Sequence, residues 1–366
     1  MKEPILALVQ EGGSSFEVVA MKTQKKTLTL RQIAKLARTS KSTVSRVLTN
    51  HPSVSPKTRE RIQSVIKKHG FKPNLFARGL AGGKTGLIAV LTSEINSGFY
   101  AEVIKGVDEI ASQNDGHVLS SFAHGTDDYI DLWTSLATGG RVDGIILIAP
   151  PTEILTRAIG SDEVPLVLCA CRPEQRVNGW ESVDTVTVHN EKGMVEMLRH
   201  VVEQGCARLV HMAGPPNIWD AAERRRSFER FIADHPNLAG EIIEIAMTRE
   251  NGWSATLDYL KVNNEKPDAF IACNDLAALG ILEALKESGI RVPDMVAVTG
   301  CDDDAASSVL GLTTLRMPMV ELGRETARLL FERLNSRDRD IPARESVLDM
   351  MLCTRATSLA GKRRDV

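Results

Sequence analysis

Thr29-Leu30-Arg31-Gln32-Ile33-Ala34-Lys35-Leu36-Ala37-Arg38-Thr39-Ser40-Lys41-Ser42-Thr43-Val44-Ser45-Arg46-Val47-Leu48 is the stretch on which the N-terminal fold turns. Its first four residues fit a capping box, a Thr N-cap answered by Gln three positions on. Leu30, Ile33, Ala34 and Ala37 then share one helical face. Arg38-Thr39 reads as a short turn. Ser40 caps a second helix in which Val44, Val47 and Leu48 point inward, leaving Lys41, Ser42, Ser45 and Arg46 outward. A third helix opens at Ser55 with Pro56 in its first turn, buries Ile62, Val65 and Ile66, and stops at Gly70 with Pro73 just beyond. Three short helices, the first two joined by a tight turn, make a helix-turn-helix unit whose second helix is suited to a major groove.

Charge supports that reading. Between Lys22 and Lys84 there are 16 Lys/Arg and one acid, Glu60, whereas residues 85–366 carry a net charge of −15 and the whole chain only −2. A basic module on an acidic body points to a polyanionic partner, nucleic acid first. The alternative is a small helical domain whose basic face is merely solvated, and turn spacing, caps and charge together oppose it. The six cysteines are scattered through 366 residues, which suits reduced cytosolic thiols better than a disulfide framework. Cys169 and Cys171, spaced C-x-C, read as alternating strand residues. No apolar run reaches the roughly 20 residues of a membrane span, and the N-terminus lacks a secretory pattern. The expected location is cytoplasmic.

Leu30 to Pro73, with T-V-S-R-V-L at 43–48 and V-S-P-K-T-R at 54–59, resembles the LacI/GalR family of bacterial transcriptional regulators, and the resemblance continues to about residue 357. It implies that Lys41, Ser42 and Arg46 read base edges and that Thr29 and Ser40 also belong to the DNA-binding set, while Thr43, Ser45 and Asn50 are better placed for phosphates, which position the helix. The family usually has Gly in the turn where this chain has Arg38, so a left-handed Arg38 would cost roughly 1 kcal/mol. Residues 74–84 match the family's hinge, which becomes helical on operator DNA and sends a leucine into the minor groove. Leu80 matches that leucine, with Asn74 and Arg78 beside it. An ordinary linker residue is the other reading of Leu80.

From Gly86 onward apolar runs alternate with helical segments. Strands are expected at Leu87–Leu91, Val118–Phe122, Gly144–Ala149, Leu166–Ala170, Leu209–Ala213, Ala269–Cys273 and Val296–Cys301. Helices are expected at Tyr100–Ser112, Glu191–Glu203 and Asp275–Ser288. The alternation argues for parallel sheets, in too many units for one sheet. The family's architecture is two periplasmic-binding-protein-like lobes with ligand between them, beyond the carboxyl ends of the strands. Asn274 and Asp302 at strand ends suit vicinal hydroxyls, and helix N-capping is the competing use. Arg224 aligns with the family's effector-contacting arginine, and Phe99 and Tyr100 resemble its cleft aromatics. Trp253 offers an aromatic face to a sugar ring or is core. Ala170-Cys171-Arg172 departs from the family's polar residues after the fourth strand, which makes an acidic or less polar effector held by Arg172 an alternative.

No nucleophile elbow, Walker motif, dinucleotide fingerprint or zinc spacing is present, so an enzyme is not expected, nor any metal or cofactor. The domains expected are an extension at 1–27, disordered or a mis-assigned start; a helix-turn-helix domain at 28–73; a hinge at 74–84; a two-lobed ligand-binding and dimerisation domain at 85–357; and a basic tail at 358–366. The functional expectation is a homodimeric repressor of double-stranded operator DNA, controlled by a sugar-like effector. A regulator answering mainly to a protein such as a phosphocarrier, and a sugar-binding transport or chemoreceptor protein, are the alternatives. The tail has no heptads, so no tetramer is expected.

Overall fold

The computed structural model divides into two units, Met1–Ala81 and Gly82–Val366. It describes residues 6–10, 16–20, 28–48, 51–71, 84–93, 98–156, 164–173, 179–336 and 341–359. The candidate DNA contacts Asn50, Asn74, Arg78 and Leu80 lie outside them.

In the first unit, β1 (Leu6–Gln10) and β2 (Phe16–Ala20) pair antiparallel, Leu6 opposite Ala20 and Gln10 opposite Phe16. Both segments are rich in residues that favour strands. The helical head follows as α1 (Leu30–Leu36), α2 (Lys41–Leu48) and α3 (Pro56–His69). Thr29 and Gln32 form the expected capping box: the Gln32 amide donates to Thr29 Oγ1 at 3.3 Å and the Thr29 amide to Gln32 Oε1 at 2.8 Å. Pro56 opens α3, and Gly70 closes it at φ 59°. The three helices share a core of Ile33, Ala34, Ala37, Val44, Val47, Val54, Ile62 and Phe71.

The second unit has two lobes, and the chain passes between them three times. Lobe 1 begins with β3 (Leu87–Thr92), α4 (Gly98–Gln113), β4 (His117–Phe122), α5 (Thr126–Ala137), β5 (Gly144–Ile148), β6 (Leu166–Cys169) and β7 (Asp184–Val188). The chain then builds lobe 2 from α6 (Asn190–Glu203), β8 (Arg208–Ala213), α7 (Trp219–Ala233), β9 (Ala239–Glu244), α8 (Arg249–Val262), β10 (Ala269–Ala272), α9 (Asp275–Glu287), β11 (Ala297–Asp302), α10 (Ala305–Leu310) and β12 (Thr313–Arg316). It returns to lobe 1 for α11 (Met319–Asn335) and β13 (Glu345–Leu348), and ends in lobe 2 with β14 (Met351–Cys353).

Lobe 1 carries a parallel sheet of order β13-β7-β6-β5-β3-β4. Lobe 2 carries β14-β12-β11-β10-β8-β9, parallel except for the antiparallel β14. Both central sheets are buried: β5 and β10 are covered along their whole length. That explains their unbroken apolar sequence, since a sheet covered on both faces loses the polar alternation. Each crossover joins the strand ends that face the other lobe, so those ends meet across one cleft. Ser358, assigned to the tail by sequence, belongs to lobe 2: it is fully buried and its hydroxyl lies 2.7 Å from His200 Nε2 and 2.6 Å from Thr313 Oγ1.

Candidate nucleic-acid interface and interlobe cleft

On α2, Lys41, Ser42, Ser45 and Arg46 are all exposed. Their spacing of one, four and five residues puts them along one helix face, opposite the buried Val44 and Val47. Thr43 is half-buried, and its amide donates to Ser40 Oγ at 3.1 Å, so Ser40 does cap the helix. Ser40 Oγ also lies 2.7 Å from Ser42 Oγ and 2.8 Å from Thr43 Oγ1. Thr29 and Ser40 therefore have structural work as well as exposure. Arg38 adopts φ 50°, the left-handed conformation that the missing turn glycine demands, and its side chain is exposed. The face can offer charged donors to base edges and phosphates without disturbing its own core.

In the cleft, backbone strain is concentrated. Of the six non-glycine residues at positive φ among those described, Ala149, Ala170, Asp302 and Asp303 stand just beyond or at the ends of β5, β6 and β11. Such strain persists where surrounding structure enforces it, often at binding sites. The lobes touch there. The Thr152 amide donates to Asn217 O at 2.9 Å. Trp219, from lobe 2, packs into the lobe 1 cluster that holds Tyr129, Trp133 and Trp180. Arg172 lies over its ring, 5.6 Å from the centroid.

Arg224 is 4% exposed, one turn after Asp220 on α7. Its Nη1 donates to Cys301 Sγ at 3.1 Å, and its Nε has no partner. Asp220 accepts from Asn190 Nδ2 at 2.7 Å, while Asn190 Oδ1, also buried, has no partner. Burial pushes the Asp302 carboxyl well above the usual range; the nearby Asp275 charge adds to this and Arg224 opposes it. Burial likewise raises Asp220, against the pull of Arg224 and the Asn190 bond. The arrangement is one buried guanidinium between two strained or buried carboxyls, with an unused donor and an unused acceptor. Cys169 and Cys273 are pushed by burial to about 12, so these thiols are not poised as nucleophiles.

The other sequence candidates fare differently. Asn274 is a helix cap: its Oδ1 accepts from the Ala277 amide at 2.9 Å and its Nδ2 donates to Met247 O at 3.0 Å. Both functions of the side chain are taken. Trp253 is a correction. Its indole Nε1 donates at 3.0 Å to Glu287 at the far end of α9, so it lies on the α8–α9 surface and not in the cleft. Tyr100 is 7% exposed with its hydroxyl 3.2 Å from Ser93 Oγ, and Phe99 packs edge-on against it and into the core. Arg172 pairs with Glu345 at 2.6 Å, so its charge already has a partner within the lobe. Trp219, Asp220 and Asn190 were missed by sequence reasoning. The four-residue spacing of Asp220 and Arg224 on one helix was the available signal. Among the described residues there is no cluster of metal-ligating side chains, and no helix long and apolar enough to cross a membrane.

Comparison with known proteins agrees with this geometry. Residues 29–74 match the bacterial regulatory proteins of the lacI family, and residues 198–358 match the periplasmic binding protein-like domain. Catabolite control protein A of Priestia megaterium is 28% identical over 84% of this chain and 93% of that protein. The HTH-type transcriptional repressor PurR of Haemophilus influenzae is 27% identical over 86% and 93%. Among solved structures, a Lac repressor dimer bound to operator and the anti-inducer ONPF superposes with a TM-score of 0.79 at 26% identity, over 92% of this chain and all of that one. The transcriptional regulator CelR in complex with cellobiose gives 0.66 at 28%, over 90% and 99%. A helix-turn-helix head on a two-lobed body, matched on both parts, makes this chain a DNA-binding transcriptional regulator and not an enzyme: it belongs to the LacI/GalR family.

Proposed function

We propose that this regulator is a repressor that grips a pseudo-palindromic operator as a homodimer and is controlled by a neutral sugar or sugar derivative in the interlobe cleft. The observation that carries the effector reading is Arg224, buried with an unpartnered Nε, beside the unpartnered Asn190 Oδ1 and the Asp302 carboxyl. Hydroxyl groups both donate and accept, so a polyol can satisfy all three at once. Asp220, one turn away on the same helix, already offsets the charge of this single guanidinium, which disfavours a phosphorylated or carboxylated ligand. Effector binding would select one lobe arrangement over another, and operator affinity would follow by linkage.

Titration calorimetry of the full-length protein with neutral mono- and disaccharides and with sugar phosphates tests this. Neutral sugars are expected to bind, sugar phosphates more weakly, and Arg224→Leu to abolish the heat signal. Stronger binding of sugar phosphates would overturn the electrostatic argument. A cleft silent to every sugar, in a protein that still binds DNA, would favour a regulator answering to a protein partner.

A further inference from the structure

The two walls of the interlobe cleft differ in chemistry. Lobe 2 supplies Arg224 and Asn190, each with one unpartnered polar atom, beside the carboxyls of Asp220 and Asp302. On the lobe 1 side, the first residues beyond β5 and β6 are apolar. β5 runs out into Ala149-Pro150-Pro151, all buried, and β6 into Ala170-Cys171, 1% and 0% exposed. Trp219 completes this wall, packed in the same apolar cluster as Cys171. Burial pushes the Cys171 thiol well up, and the Asp220 carboxyl adds to this, which puts the apolar wall close to the polar one. The wall's backbone donors are spent as well. The Ala149 amide donates to Cys169 O and the Ala170 amide to Val186 O, both at 2.8 Å.

The two alanines stand there against their backbone preference. Ala149 has φ 43° and Ala170 has φ 54°. Glycine and asparagine enter that left-handed region more readily than alanine does. The backbone alone would therefore favour either no side chain or a polar one at both strand ends. Strain that persists at a ligand cleft is a sign that the side chain itself is wanted. A ligand hydroxyl pressed on this wall would give up its water without gaining a side-chain partner, whereas a methyl or aryl group would lose nothing.

We propose that the effector is two-sided: a neutral sugar derivative whose hydroxyls meet Arg224 and Asn190, and whose other edge carries an apolar group against Ala149, Ala170 and Trp219. That group is a deoxy carbon or an alkyl or aryl aglycone. Ala170 is thus a specificity-determining residue. The inference rests on the cleft being a sugar site and narrows it to one class of sugar.

Matched pairs of ligands test it, by calorimetric titration of the full-length protein. D-Fucose is compared with D-galactose and L-rhamnose with L-mannose, which report a deoxy carbon. Phenyl β-D-glucoside is compared with D-glucose, which reports an aglycone. In a pair that binds, the apolar member is expected to bind about tenfold more tightly or better, the discrimination that a group of this size gives in an apolar pocket. Ala170→Asn suits the left-handed backbone and adds a donor and an acceptor to the wall, so the preference should vanish or reverse. Ala170→Gly relieves the same backbone without adding a polar group, so the apolar member should stay ahead. Thermal melting checks that both variants fold, and if Ala170→Asn does not, the wild-type ratios decide. Equal or tighter binding of the hydroxylated member in every pair that binds overturns the proposal and leaves the sugar site standing. A folded Ala170→Asn with the wild-type ratio overturns it too. Silence towards all of these compounds defeats the sugar reading itself, and this inference with it.

Discussion

The two binding regions present their chemistry in opposite ways. On α2 the polar side chains stand exposed on a face that the core does not need, with Val44 and Val47 carrying the packing from behind. In the cleft Asn190, Asp220, Arg224, Asn274 and Asp275 are buried, and several polar groups are committed to holding the lobe together: Asn274 to a cap, Asp275 to Ser307 and Thr314, and Asp303 to Arg316 and Arg355. A surface that meets a polyanion is built from long flexible cations kept in water. A pocket that encloses a small molecule must desolvate its polar groups, and then each one needs a partner whether or not ligand is present. The head should therefore lose binding without losing stability when its face is truncated, and the cleft should lose stability whenever its polar groups are.

The largest effect tests the head. Lys41→Ala and Arg46→Ala should each cost roughly 1–3 kcal/mol of operator binding and relax sequence preference. The melting temperature should stay put. Binding to a selected operator and to scrambled DNA over a range of salt would show it. An equal loss on both DNAs would assign these residues to phosphate alone.

The next two test the body. His211 is buried on β8, its Nδ1 2.9 Å from Ile271 O and its ring 5.3 Å from that of Phe228. Burial lowers its pKa from 6.5 to about 4, the Ile271 carbonyl opposes this, and Arg224 and Arg225 add to it. The unfolded chain then takes up a proton near pH 6.5 while the folded one does not, so stability falls as pH drops from 6.5 towards 4. By pH 5 the loss is about 2 kcal/mol. Urea unfolding at pH 7 and pH 5 should show it in the wild type and not in His211→Gln. An identical pH dependence in both would refute the assignment. Asn274→Ala removes an acceptor for Ala277 and a donor for Met247, and should destabilise lobe 2 by about 1–2 kcal/mol. Unchanged stability with lost effector binding would return Asn274 to the ligand site.

Much of the head was legible because its determinants are local. The Thr29–Gln32 box, the Ser40 cap, Pro56 and Gly70 all act within one turn of helix, and all are where sequence spacing puts them. The seven apolar strands of the body were also readable, to within one residue at most ends. The strands at Asp184–Val188, Thr313–Arg316, Glu345–Leu348 and Met351–Cys353 were not foreseen, and neither was the edge strand Ala239–Glu244. Asp184 shows why. It opens β7 fully buried, which is tolerable only because Arg333 and Arg344, some 150 residues on, pair with it at 2.6 and 2.8 Å. No local pattern reports a partner that distant. The cleft was half legible for the same reason. Arg224 could be placed by resemblance, but whether Asn274 or Asp302 serves ligand or fold depends on neighbours brought in from other strands.

Arg38 is where the contrast between the regions narrows, because there the head also carries strain. Its φ of 50° is set by the turn: the Thr39 amide reaches Ala34 O at 2.9 Å, and the Arg38 amide reaches Lys35 O at 3.2 Å. A side chain in that conformation costs about 1 kcal/mol relative to glycine, part of which glycine returns through the greater freedom of its unfolded chain. Arg38→Gly should therefore stabilise the head by up to about 1 kcal/mol, seen as slower amide exchange at Ile33–Val44 in the full-length protein. The same change removes an exposed cation beside the recognition helix. If that cation meets a phosphate, affinity should fall alike on operator and scrambled DNA, and the salt slope should shrink by about one. A head made more stable but a poorer binder is the combination a residue kept for function against its backbone would give. Unchanged affinity would leave the strain without a purpose in DNA binding.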